Sequence, residues 1–382
     1  MSTLIVKGWC PGGLRPMLSG DGLLVRVKPL IGRLTQTQAA GIAYLADQCG
    51  NGLIDLSARA TLTIRGVTDQ TYDRLITGLK ELNLIDPTPE AEARRNCIVT
   101  PYWENGDGTA ELAEGLAKAL QGQQGFRLPG KFGFALDTGP FPVLRAVSAD
   151  IRIERDTNGM LLCRPDGADT GAHVTPDSLV QTAISLAEWF VTTGGRTRMA
   201  AHLADGAVLP SAFTVMKEAS HRKIPQPVPH VSSAGVLVGF AFGQLQAVTL
   251  GALATHSPLR LTPWRMLLLE GQTQAPALND IITSQNDPLL RVAACTGAPG
   301  CSQALLPTRH LAHALAPYVP QGQSLHISGC SKGCAHPNAA SVTLVAQERG
   351  FALVRNGNAC AASYERTFSP AMLLEDPDAL FL

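Results

Sequence analysis

The chain has 382 residues, and its 31 Lys and Arg balance 31 Asp and Glu, so bulk charge gives it no affinity for nucleic acid or an anionic membrane surface. Charged residues make up 16% and hydrophobic residues 45%; the length suits two or three domains, and no apolar run approaches the roughly 18 residues of a membrane span. The start, MSTLIVKGWCPGG, shows no signal-peptide pattern, so a cytoplasmic location is expected, where disulfides are rare and nine cysteines need another explanation.

Taken in chain order, the elements read as two weakly similar halves. A short apolar strand, Leu23 to Val27, precedes Gly32 and Leu34, a helical stretch through Gly41 to Ala46, and an alternating run from Leu56 to Gly66. The second copy has Val236 to Ala241, Gly243 and Leu245, a stretch through Gly251 to Ala254, and a run from Leu261 to Gly271. Its Gly-to-Gly span is 28 positions against 34, six shorter through the helix and the following connection. Each copy is followed by an Arg-to-Thr spacing of the same length, RNCIVT from Arg95 and RVAACT from Arg291. Each unit reads as strand, helix, strand, too small to bury both faces, so the two are expected to pack as pseudo-symmetric partners.

Between the copies lie the Gly/Pro-rich LPGKFGFALDTGPFP, strands around Val147 to Ile153 and Met160 to Arg164, and a helix from about Thr175 to Val191 that stops at Gly194-Gly195. Pro225 to Ser233 reads as the linker to the second half. The expected division is 1–90 and 225–285 for the small units, with larger α/β lobes at 91–224 and 286–382.

Four of the nine cysteines, Cys295, Cys301, Cys330 and Cys334, crowd into CTGAPGC and CSKGC, where even scattering would place about one. The first spacing is too wide for a zinc knuckle. Two loops of C-x5-C and C-x3-C type instead fit four thiolates gripping an iron–sulfur cubane from two sides, and the small residues around them let backbone N–H groups approach the sulfides. Cys10, Cys49, Cys97, Cys163 and Cys360 are scattered and read as packing residues, with Cys10 set in an unusual Gly/Pro-rich loop.

If residues 59 to 65 form one strand, Arg59, Thr61, Thr63 and Arg65 share a polar face. Arg94, Arg95, Lys131, Arg196 and Arg198 are further cations which, gathered by the fold, would make a carboxylate-binding cavity. His336, two residues past the last clustered cysteine, is a candidate for a proton or iron role. No Gly-rich dinucleotide fingerprint is present.

With these residues in place, the chain resembles the sulfite and nitrite reductases that couple a sirohaem to a cubane cluster. The C-x5-C with distant C-x3-C and the duplicated L-S/T-x-R unit carry the resemblance, which spans nearly the whole chain. It implies an α/β (α+β) fold of two ferredoxin-like half-domains and two larger lobes related by a pseudo-twofold axis, with a cavity floored by a [4Fe-4S] cluster on Cys295, Cys301, Cys330 and Cys334. Arg59 in LSARATL, Arg95 in RRNCIVTP and Lys131 in LPGKF match the residues that surround the tetrapyrrole and its bound anion. Gly130, Gly133 and Ala60 replace an arginine, a lysine and a glutamine of that pattern, and Ala335 replaces a glycine.

Closer in length and motif is a sister group, the precorrin-3B synthases of aerobic cobalamin biosynthesis, which WCPGGLRPMLSGDGLLVRV and GCSKGCAHP resemble. This implies an O2-dependent monooxygenase acting on precorrin-3A, with NADH-derived electrons arriving through a separate donor protein and a non-haem iron besides the cluster. The alternatives are a sirohaem-dependent reductase and a cluster-bearing electron-transfer module.

Overall fold

The computed structural model describes residues 11–123, 127–139, 142–216, 227–361 and 364–381; Cys10 lies outside them. The first half contains β1 (Met17–Ser19), β2 (Gly22–Val27), β3 (Arg33–Leu34), α1 (Gln36–Cys49), β4 (Leu53–Leu56), β5 (Leu62–Val67) and α2 (Asp69–Glu81). The first lobe follows with α3 (Pro89–Arg94), β6 (Cys97–Val99), α4 (Thr109–Gly122), β7 (Phe134–Asp137), β8 (Ile151–Arg155), β9 (Leu161–Pro165), β10 (Thr170–His173), α5 (Pro176–Thr192), α6 (Met199–Ala204) and β11 (Val215–Met216). The second half has β12 (His230–Ser232), β13 (Gly235–Val238), β14 (Gln244–Gln246), α7 (Ala247–Ala254), β15 (Leu259–Leu261) and β16 (Leu267–Glu270). The second lobe closes the chain with β17 (Val292–Ala294), α8 (Arg309–Leu315), β18 (Leu325–Ser328), β19 (Ala340–Gln347), β20 (Gly350–Gly357), β21 (Thr367–Phe368) and α9 (Pro370–Glu375).

The two small sheets run β1-β2-β5-β4-β14 and β12-β13-β16-β15-β3. Each half therefore lends a short strand to the other's sheet: Leu34 pairs with Leu259, and Leu245 with Ile54. Val25, Ile42, Ile54 and Ile64 share one apolar core with Val236, Val238, Leu250 and Leu261. Dividing the chain at 90 and 225 would strip one strand from each small sheet, so neither half is complete by itself. Each lobe has its own sheet and core, and both sheets open with a parallel pair, β6 with β7 and β17 with β18.

The duplication extends to the backbone. Ile31 and Phe242 take φ of 51° and 57°, Gly32 and Gly243 71° and 69°, Ala60 and Arg265 51° and 60°, and Gly66 and Gly271 70° and 69°. Helix α1 has 14 residues and α7 has 8, which accounts for the six-residue difference read from the sequence.

Two expectations are corrected. The closing run of each unit is a hairpin rather than one strand, because the left-handed residue at Ala60 or Arg265 reverses the chain between β4 and β5 or between β15 and β16. The stretch expected as a linker up to Ser233 contains β12, whose partner β13 gives it a ladder from His230 to Ser232. The helix expected from Thr175 is capped there by the Thr175 side chain, which accepts from the Ser178 N–H.

Gly22 and Gly235 open equivalent strands at φ of 117° and 142°. A Cβ at Gly22 would lie 2.7 Å from the Val67 carbonyl oxygen, and one at Gly235 would run into that of Leu269. Gly235→Ala should therefore destabilise the protein by about 2 kcal/mol or more, measured by urea unfolding, with Gly22→Ala costing a comparable amount; changes within about 0.5 kcal/mol at both would contradict the strain.

Candidate functional site

The four clustered cysteines sit on two loops at the same end of the parallel pair β17 and β18. Cys295 follows β17 directly, and Cys330 lies two residues beyond β18. Gly329 donates its N–H to Cys295 Sγ at 3.1 Å, and the Cys295 N–H returns to the Ile327 carbonyl at 3.3 Å. The Cys330 thiol is pushed up by burial and by the charges of Cys295 and Cys301; Cys334, the exposed one, is pushed up by desolvation and by the other three. The four thiols thus share one electrostatic neighbourhood. Among the described residues no three His, Cys, Asp or Glu side chains converge as one metal ion requires.

Both loops are held by guanidiniums from the small sheets. Arg65 Nη2 donates to the Gly300 carbonyl at 2.9 Å, inside C-x5-C, and Ser19 Oγ donates to the same oxygen at 2.8 Å. Arg265 Nη2 donates to the Ala335 carbonyl at 3.1 Å, just past Cys334. Arg65 is 4% exposed and grips Asp21 through two nitrogens and Asp55 through the third. It is committed to structure and does not share an open polar face with Arg59, which the turn at Ala60 carries elsewhere.

Arg59 and Arg95 line one narrow cleft together with Arg26, Lys28, Asn96 and Cys97. Its volume is about 20 Å³, room for a water or the tip of a carboxylate rather than a ring. Arg95 is buried and paired through two nitrogens with Asp86 at 2.8 Å each; Asp86 is held low because these bonds and charges outweigh its burial. Lys28 Nζ donates to the Glu92 carbonyl and to Asn96 Oδ1, both at 2.9 Å. Desolvation lowers its pKa to about 8. The buried Arg26 Nε finds no partner among the described residues.

Lys131 is exposed, and its carbonyl accepts from Arg59 Nη2 and Arg198 Nη1, each at 3.2 Å. The fully buried Asp150 anchors that loop by accepting from the Gly133 and Met199 N–H groups and by pairing with Arg198. Arg94 turns away and donates to the Leu120 and Gln121 carbonyls at the end of α4.

His336 makes one long contact, Nε2 to the Ala339 carbonyl at 3.3 Å, and its ring stands edge-on to His326 with centroids 5.7 Å apart. His326 on β18 is fully buried, and neither ring nitrogen has a partner among the described residues. Burial first, then His336 and Arg265, lower its pKa to about 4. Of the packing cysteines, Cys49 and Cys163 are buried, Cys97 lines the cleft, and Cys360 is exposed with its thiol 3.1 Å from the Ser331 carbonyl.

Residues 15–82 match the nitrite/sulfite reductase ferredoxin-like half domain. The NirA protein of Mycobacterium tuberculosis superposes with a TM-score of 0.67 at 15% identity, over 93% of this chain and 79% of that one. The fold is that of the nitrite and sulfite reductases. A Sinorhizobium sp. protein named precorrin-3B synthase is 28% identical over 417 residues, which cover 92% of this chain and 83% of that protein. The relatives to which the sequence pointed are therefore found, and they belong to an oxidoreductase superfamily. No helix among the described residues is long and apolar enough to cross a membrane.

Arg26, Lys28, Asp55, Arg265 and His326 escaped sequence reasoning. None lies beside a cysteine motif, and only the sheet register brings Asp55 and Arg265 to the thiol loops. Removing Asp86 would leave Arg95 buried without its carboxylate, so Asp86→Ala should cost about 3–5 kcal/mol in urea unfolding at neutral pH; a loss under about 1 kcal/mol would show that the pair is dispensable.

Proposed function

We propose that this chain is a precorrin-3B synthase, a monooxygenase that hydroxylates C20 of precorrin-3A and closes a ring-A acetate into a γ-lactone, with O2 and NADH-derived electrons. The observation that carries the reading is a set of four cluster-spaced thiols beside small sheets that also present a cleft lined by four cations. The similarity to the Sinorhizobium protein over 92% of the chain supports it. A tetrapyrrole bearing acetates and propionates supplies the anions such a cleft is charged to receive.

Against sulfite or nitrite reduction stands the chemistry of the loop. A Cβ at Gly133 would lie 3.1 Å from the Asn96 carbonyl oxygen, so the backbone leaves little room for a lysine side chain at that position. The cleft lacks that second lysine and keeps its cations around Arg59. An electron-transfer module would need neither.

Arg59 and Lys28 bind and orient carboxylates. Asn96 fixes the Lys28 ammonium, while Asp150 and Arg198 hold the Lys131 loop that packs on Arg59. Orientation carries much of the work, since one meso carbon and then one acetate must react. Cys295, Cys301, Cys330 and Cys334 would hold a [4Fe-4S] cluster, which would supply one-electron transfer from a separate donor.

Anaerobically purified protein should show thiolate-to-iron absorption and, given precorrin-3A, O2 and a reducing system, form precorrin-3B; a bound sirohaem with sulfite turnover would overturn the reading. Cys330→Ser should abolish that absorption, and an unchanged spectrum would remove Cys330 from the ligand set. Arg59→Ala should weaken precorrin binding about tenfold or more while sparing the spectrum; unaltered binding would remove Arg59 from the site. Because the free cleft holds Lys28 protonated only below about pH 8, precorrin affinity should fall as pH rises through 8. A flat binding profile from pH 7 to about 9 would show that Lys28 meets no anion.

A further inference from the structure

The duplication repeats the cationic cleft as well as the sheets. Arg59 precedes Ala60 as Trp264 precedes Arg265, and both second residues hold the same left-handed turn. Cys97 pairs with Phe134 as Ala293 pairs with His326, so Arg95 corresponds to Arg291 and Lys131 to Gln323. Trp264, Arg291 and Gln323 all line one cavity of about 510 Å³, within the roughly 300–1,000 Å³ of small-molecule sites. Its cleft counterpart in the first half offers about 20 Å³.

The chemistry of the second copy has changed. Phe240, Trp264, Met266 and Leu290 line its walls, and Trp264 stands at the position of Arg59. Two guanidiniums remain, Arg265 and Arg291. Arg291 donates to the Val319 and Asn286 carbonyls at 3.2 and 3.3 Å, and Arg265 to that of Ala335. Neither forms an ion pair with a carboxylate among the described residues, although desolvation already weakens the hold of Arg265 on its proton. Half-buried guanidiniums satisfied only by carbonyls beside an aromatic wall leave positive charge for an anion to compensate.

We propose that this cavity is a second ligand site, taking a planar conjugated molecule with two carboxylates. Its flat face packs on Trp264 and Phe240, and its carboxylates meet Arg265 and Arg291. Two carboxylates match two unpaired cations; the more heavily charged ligand belongs to the first cleft. Ala58 and Ala335 also line this cavity, and they flank Arg59 and Cys334, so an occupant lies against the backbone of the site already described.

The test is titration of mesoporphyrin IX, a planar dicarboxylate, into the full chain, read by quenching of tryptophan emission. Saturable quenching is expected, with Arg291→Gln weakening the affinity about tenfold or more. Gln323→Glu, on the half-exposed rim, should also weaken it through repulsion without disturbing the core, and Arg59→Gln should leave it unchanged. No quenching in the parent chain, or affinity unaltered in both Arg291→Gln and Gln323→Glu, overturns the proposal. Loss of binding in Arg59→Gln alone overturns it too, by placing the probe in the first cleft. No readout uses precorrin turnover, so this outcome is separate from that of the proposed activity.

Discussion

The structure turns on a buried guanidinium and the carboxylates around it. Arg65 on β5 binds Asp21 and Asp55 and, with the same head group, the Gly300 carbonyl of the first cysteine loop. Asp55 also accepts from Gln244, on the strand lent by the second half, and from Arg309, on α8 of the cysteine-bearing lobe. Three parts of the chain therefore meet at one carboxylate. The equivalent junction in the second half has exchanged its charges: Arg260 stands at the position of Asp55, Glu270 at that of Arg65, and Arg33 at that of Gln244. Arg260 reaches the Pro101 and Trp103 carbonyls of the first lobe, as Arg65 reaches Gly300 in the second. The ion pair is kept in place with its signs swapped, and in each half its arginine reaches a carbonyl of the opposite lobe.

That junction sets where chemistry can occur. Only the second lobe carries cysteines in the docked loop; in the first lobe the matching stretch contains Trp103, stacked under the Arg260 guanidinium at 3.6 Å. The first half gathers four cations in one cleft, whereas the second has Trp264 at the position of Arg59 and keeps Arg265 and Arg291. One duplicated frame thus carries clustered thiols on one lobe and a cluster of cations on the other half. This division is what the proposed oxygenation of an anionic macrocycle requires, with electrons delivered from one side and carboxylates held on the other.

Much of this was legible in the sequence because it rests on spacing. Gly32 with Gly66 and Gly243 with Gly271 marked the repeat, and the C-x5-C and C-x3-C loops marked the thiols. Strand exchange was not legible, since Arg33–Leu34 and Gln244–Gln246 are too short to show a period. Alternation misled at Arg59 to Arg65, where a left-handed alanine breaks the face that period-two reading assumes. Arg95 lies at the expected cleft but is already bound to Asp86, nine positions earlier, and no sequence pattern distinguishes a paired arginine from an open one. Arg26 and Lys28 belong to no motif, and only the fold sets them beside Arg59.

The most direct measurement follows the oxygen atom. Protein with its four-thiol site loaded, supplied with precorrin-3A, a reducing system and isotopically labelled dioxygen, should yield a tetrapyrrole that carries one labelled oxygen. Unlabelled, unchanged precorrin-3A from protein that reduces sulfite under the same conditions would contradict the account.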